Sequence, residues 1–161
     1  METSRPSVSV RTVTADTPDD SDHLTPPFPT KVAILVRDDL ATWQRLNVTA
    51  FLVSGIAAAN PQLIGAPYRD GDGGTYLALL GLPTLVFEAD AATLQLARER
   101  AATRALPAAI YVQEMFTTGY DAANRGTTDN VPAGELDLVG IAVHGPKSQV
   151  DKVVKGAHLH P

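Results

Sequence analysis

The chain has no cysteine among its 161 residues. That excludes disulfide scaffolds, thiol catalysis and cysteine-ligated zinc or iron–sulfur centres. Aromatic residues are scarce, at 6% of the chain, with a single tryptophan. No apolar run approaches the roughly 20 residues of a membrane span. No stretch joins a basic start, an apolar core and a small-residue cleavage site, so no secretory signal is expected. The expectation is therefore a cytoplasmic protein with no membrane partner. Basic residues are also in deficit, with 13 Lys and Arg against 18 Asp and Glu. A mildly acidic body does not offer phosphate the general basic surface that nonspecific nucleic-acid binding uses. There is no Gly-x-Ser-x-Gly elbow and no dinucleotide glycine fingerprint.

What remains is an ordinary folded composition, 44% hydrophobic and 19% charged, at a length that suits one domain. Half of residues 1–30 are Ser, Thr or Pro, and this segment carries five acids against two bases. With few large apolar residues to offset ordering entropy, it reads as a disordered tail. A single α/β domain is expected over residues 31–161. Val32-Ala33-Ile34-Leu35-Val36 suits a strand buried on both faces. A long helix follows, from about Asp39, with Asp38 or Asp39 as cap, to Ala59 before Asn60-Pro61. Asp70-Gly71-Asp72-Gly73-Gly74 marks a turn. Further strands are expected near Leu82–Glu88, Ala108–Gln113 and Leu136–Val143, with helices at Asp90–Arg104 and after Gly145-Pro146. Alternating strands and helices predict a three-layer α/β sandwich around a central mixed, mostly parallel sheet of about four strands.

The first helix carries the most informative pattern. Trp43, Leu46, Ala50, Val53 and Ala57 form an apolar ladder, which reads as its buried stripe. Asn47 and Ser54 fall within that stripe. A buried polar group must be paired, so they either satisfy the backbone or line a cleft at the carboxyl edge of the sheet. Glu114 to Arg125 is a second signal: Glu114, Tyr120, Arg125 and four other polar residues lie within twelve positions, directly after a buried strand. Tyr120 can orient a ligand, and Arg125 can fork onto a carboxylate or phosphate. His158 and His160 point to one face of an extended segment; a zinc site needs a third ligand, for which Glu114 is the candidate, but chain-end histidines are more often simply exposed, so neither a metal nor another cofactor is expected.

Arg37-Asp38-Asp39-Leu40 after the first strand, Leu46-Asn47-Val48-Thr49-Ala50-Phe51 in the helix, and the closing Gly140-Ile141-Ala142-Val143-His144-Gly145-Pro146 through Lys155-Gly156 resemble the domain-of-unknown-function two-thousand family. That family looks like a branch of the type II peptidyl-tRNA hydrolase superfamily. The resemblance covers about Lys31 to Leu159. It implies a mixed sheet flanked by helices, and a homodimer. Arg37, Asp39 and Leu40 match the opening Arg-x-Asp-Leu of the hydrolases, and Glu114 stands where they carry a carboxylate. Their early Gly-Lys pair is replaced here by Arg45-Leu46-Asn47, and their late Thr-Gly pair by Val154-Lys155-Gly156.

Three functional expectations follow. The first is a small-molecule cleft lined by Asn47, Glu114, Arg125 and Lys155, with Arg37, Asp39 and Tyr120 as further ligand contacts. Hydrolase or transferase chemistry on an acyl or amide substrate would use Glu114 as general base, with Lys155 or Arg37 stabilising negative charge. The second is residual peptidyl-tRNA or related ester hydrolysis, with the helix-end clusters Arg98, Arg100, Arg104 and Lys147, Lys152, Lys155 meeting RNA. The third is a non-enzymatic interaction module.

Overall fold

A computed structural model describes residues 27–161. The expected tail up to residue 26 lies outside the described residues. Packing begins ahead of Lys31: Phe28 rests on the core, and the Pro29 carbonyl accepts the Lys147 N–H at 3.4 Å. The run Val32–Val36 is the centre of β1 (Thr30–Arg37), and all five side chains are fully buried. Both faces of this strand are covered, which is why its sequence is continuously apolar. Val32, Ile34 and Val36 share a core with Val48, Leu52 and Ile56 of α1 (Thr42–Ala59). Ala33 and Leu35 share the other core with α2 (Ala91–Thr103) and α4 (Lys147–Val153).

The central sheet is mixed and has five strands, in the order β5-β6-β1-β4-β7. The sequence of alternating elements predicts about four strands, mostly parallel, and this needs correction. Only β1 and β4 (Thr84–Ala89) pair in parallel. β6 (Leu138–Pro146) runs antiparallel to β1 on one side and to β5 (Ala108–Val112) on the other. The helical crossovers do give β1, β4 and β5 a common direction. They do not make them neighbours, because β6 inserts between β1 and β5. The fifth strand, β7 (His158–Leu159), adds antiparallel to β4. Two residues are too few to show alternation in sequence. Between α1 and β4 the chain makes a small hairpin, β2 (Tyr68–Arg69) and β3 (Thr75–Tyr76). Its turn is held by the Asp70 carboxylate, which accepts from the N–H groups of Asp72 and Gly74 and from the Tyr76 hydroxyl.

Two further corrections concern α1. It starts at Thr42 behind Ala41, whose N–H donates to the Gln44 side chain at 2.9 Å. Asp39 is not its cap; it pairs with Arg37 at 2.7 Å. The helix also buries a different face from the one expected. Val48, Leu52 and Ile56, at i and i+4 spacing, meet the sheet, while Trp43, Leu46 and Phe51 are exposed. At 100° per residue the expected ladder is centred roughly 140° away from the buried one. Ser54 needs no buried partner, since it is exposed and donates to the Phe51 carbonyl. The seating of α1 is tight at Gly140 of β6. A Cβ there would lie 2.4 Å from Val48 and 2.9 Å from Leu52.

His144, on β6, joins three elements. Its Nδ1 is 3.2 Å from Asn60 Oδ1 and its Nε2 is 2.9 Å from Thr30 Oγ1. Asn60 Nδ2 donates to the Ile56 carbonyl at 2.8 Å, so Oδ1 is the acceptor facing the ring. Nδ1 therefore carries the proton and Nε2 accepts the Thr30 hydroxyl, a neutral tautomer. Burial pushes the His144 pKa below its usual 6.5.

Three stability measurements test these points. Gly140→Ala overpacks the α1 contact and should lower urea-unfolding stability by about 1–3 kcal/mol. Ala105, just beyond α2, sits at a φ of 53°. Ala105→Gly removes that left-handed strain and should stabilise by up to about 1 kcal/mol. The neutral His144 contributes fully above pH 6.5. Its contribution is lost as pH falls through the lowered folded value, because the unfolded chain takes up the proton first. The melting-temperature advantage of the wild type over His144→Gln should therefore shrink on acidification from pH 7.

Candidate functional site

The clearest cleft lies beside edge strand β5, where the first turns of α1 meet the chain that leaves β5. After Val112 the chain turns through a 3-10 segment, Gln113–Thr117, and then forms α3 (Asp121–Gly126). Because β5 shares the direction of β1, this is the carboxyl end of both strands, where open α/β sheets place ligands. The cleft has a volume of about 390 Å³. Five aromatic side chains line it: Trp43, Phe51, Tyr111, Phe116 and Tyr120. Trp43 and Phe51 flank Asn47 at four-residue steps on one stripe of α1. Trp43 meets Phe116 edge-on at 5.6 Å between ring centres, and Phe116 meets Tyr111 at 5.2 Å. Trp43 and Tyr120 stay open to solvent, at 61% and 70% exposure.

Polar groups are few and defined. The Tyr111 hydroxyl makes a long 3.4 Å bond to Asn47 Oδ1. Burial raises the Tyr111 pKa, so the phenol acts only as a neutral hydrogen-bonding group. The Thr118 hydroxyl lies against the Met115 carbonyl at 2.9 Å and against Asn124 Oδ1. With both amide oxygens engaged, the amide nitrogens of Asn47 and Asn124 remain as donors. Asp121 is the one ionisable acid on the lining, and no Lys, Arg or His is among the described lining residues.

The residues singled out from sequence do not share one place. Asn47 and Tyr120 line this cleft. Arg125 lines an adjoining one of about 290 Å³, and its guanidinium pairs with Asp121 one helical turn earlier. Arg37 and Asp39 belong to a partly buried clamp rather than to the cleft. The Arg37 guanidinium bonds Asp39 at 2.7 Å, Asp137 at 2.5 Å, Gln113 at 3.1 Å and the Leu138 carbonyl at 3.3 Å. That ties the end of β1 to the start of the 3-10 segment and to the entrance of β6. Glu114 is exposed next to Met115, and its carboxylate has no hydrogen bond among the described residues. Lys155 lies just before β7, at the opposite edge of the sheet, and its carbonyl accepts from Arg100 at 2.6 Å. Glu114 and Lys155 are therefore not assembled as a base and a charge-stabilising partner. The reason is topological: β5 and β7 are the two edges of the sheet.

A second polar cluster stands at the carboxyl ends of β1 and β4. Arg45 donates to Glu88 at 2.7 Å, to the Leu40 carbonyl at 3.0 Å and to the Asp38 carbonyl at 2.5 Å. His158 reaches Glu88 at 3.0 Å, and that bond first, with the Arg45 charge, lowers the Glu88 pKa. His158 and His160 thus meet Glu88, not Glu114. No group of three His, Asp or Glu able to hold a metal occurs among the described residues.

The sequence reading did not single out Trp43, Phe51, Tyr111 and Phe116 as cleft residues. The available signal was the surplus of apolar residues on α1. Val48, Leu52 and Ile56 already supply a buried stripe, so a second stripe carrying the only tryptophan needs another purpose.

No curated protein matches the chain. Among solved structures, a protein of unknown function from Agrobacterium tumefaciens superposes with a TM-score of 0.81 at 45% identity, covering 83% of this chain and 99% of that one. No helix among the described residues is long and apolar enough to cross a membrane. Over residues 30–161 the sequence matches the family described as "Protein of unknown function (DUF2000)", and the chain belongs to that family.

Proposed function

We propose that the protein binds a small organic molecule in the aromatic cleft between α1, β5 and α3. The observation that carries this reading is the lining itself. Five aromatic side chains surround a volume of about 390 Å³, with Asn47, Thr118 and Asn124 as the convergent polar groups. Small-molecule sites combine a largely apolar wall with a few placed hydrogen-bonding groups in this size range. Three of the rings, Trp43, Phe51 and Tyr120, remain exposed although burying them would stabilise the fold, which fits a surface kept open for a ligand.

Hydrolysis of an acyl or amide bond is the second reading, and the likeness to type II peptidyl-tRNA hydrolases is its background. One observation favours it: the exposed, unpaired Glu114 carboxylate adjoins Met115, which lines the cleft. As general base it would act on a substrate held at that margin. Lys155 has no part in this version, because it lies at the other edge of the sheet.

A panel of N-acyl amino acids, nucleosides, alkylamines and aminoacyl-ester mimics tests both readings on the full chain. A compound present at 100 times its dissociation constant should stabilise by about 2.7 kcal/mol, several degrees in melting temperature. Its binding should change Trp43 fluorescence and weaken up to about tenfold in Asn47→Ala. A hit that neither Asn47→Ala nor Phe116→Leu alters places binding elsewhere and overturns the cleft reading. Glu114→Gln should leave affinity unchanged; turnover of an ester mimic that this variant abolishes would instead establish hydrolysis.

A further inference from the structure

The charge and shape of the cleft narrow its ligand. The walls are π-faces and amide groups, and the one charged side chain among the described lining residues, Asp121, is paired with Arg125 one helical turn on. A phosphate or carboxylate ligand would meet no cation there among the described lining residues. Arg125 belongs to the adjoining cleft, and its guanidinium is already engaged by Asp121. Aromatic faces carry negative quadrupole charge and attract organic cations, with tryptophan the strongest.

Ring orientation separates a rounded cation from a flat heterocycle. A planar base is held between near-parallel rings. Here consecutive rings are inclined: Trp43 to Phe116 by 69°, Phe116 to Tyr111 by 47°, and Tyr111 to Phe51 by 61°. Such rings make a corner, not a slot. The free amide nitrogens of Asn47 and Asn124 add two donors, which call for an oxygen acceptor on the same ligand.

We infer that the ligand of this cleft is an N-methylated ammonium compound that also carries a hydroxyl or carbonyl oxygen. The methylated head packs in the aromatic corner, and the oxygen accepts from the asparagine amides. This inference rests on the cleft-binding reading above and names its ligand class.

The test uses choline and its uncharged isostere 3,3-dimethylbutan-1-ol, titrated into the full chain with Trp43, the only tryptophan, as the fluorescent reporter. The two probes share shape and hydroxyl and differ in charge. Choline should bind about tenfold or more tightly than the alcohol. Tyr120→Leu, at a ring 70% exposed, should weaken choline several-fold and leave the alcohol unchanged. Equal affinities for the two probes would overturn the cation inference and leave cleft binding standing. Saturable binding of a neutral compound from the wider panel, with no response to choline, would overturn it in the same way. Failure of every probe and every panel compound would overturn both.

Discussion

The insertion of β6 between β1 and β5 is the constraint on which the rest of the molecule depends. β6 pairs with β1 from Thr30↔Pro146 to Val36↔Gly140 and with β5 from Ala108↔Val143 to Val112↔Leu138. Every backbone group of its middle is therefore satisfied on both sides, and its side chains are buried on both faces. Placing β6 there pushes β5 to the edge of the sheet. An edge strand can be followed by an irregular segment without burying unpaired backbone, and the 3-10 turn and α3 take that position. Gly140 then lets α1 sit close over β6. The first turns of the helix, with Trp43 and Asn47, reach the level of Tyr111, near the end of β5. The cleft is the space left between a helix held tight at its middle and an edge strand that has just stopped.

Two arginines hold the carboxyl end of the sheet in register around that space. Arg37 bridges the end of β1 to Gln113 and Asp137, fixing the segment on which Met115 and Phe116 stand. Its side chain is only 12% exposed, and several acceptors share its charge. Removing one partner of such a group is costly because the charge stays buried. Arg45 performs the matching task on the other side, joining the loop before α1 to Glu88 of β4, which in turn meets His158 of β7. These residues stand on the site's supporting frame, not on its wall. This accounts for Arg37 and Asp39 lying next to the carboxyl end of the sheet while neither faces the cleft.

The sequence discloses direction more readily than adjacency. Val32–Val36 announces a doubly covered strand because no polar residue interrupts it, and that burial is complete. The crossovers likewise orient β1, β4 and β5 alike. Nothing local in residues 138–146 states which two strands they will separate, since the pairing with β1 joins residues more than a hundred positions apart. The side of α1 that meets the sheet was hidden for another reason. This helix has apolar residues on two stripes, and periodicity alone does not say which one the sheet covers. Asn47 stood out because a polar group interrupts an apolar stripe. Only Trp43 of that stripe reaches the cleft, where it joins Asn47 and Phe51, and the same interruption takes on a different meaning: it is an amide among rings, open to a ligand.

The polar density from Glu114 to Arg125 also divides on physical grounds. Residues in a short irregular segment alternate between facing in and facing out, and composition does not distinguish the two. Thr118 and Asn124 bond to each other and line the cleft, while Glu114 faces solvent and Arg125 turns to the adjoining hollow. A site built this way, from rings and amides on a frame of partly buried arginine clamps, has its arginines outside the cavity and its π-faces inside. That separation favours recognition by shape and polarisability over the phosphate or carboxylate recognition expected of Arg125 from sequence. Asp121 at the margin leaves that balance unchanged, because Arg125 pairs with it and the two charges largely cancel at a distance.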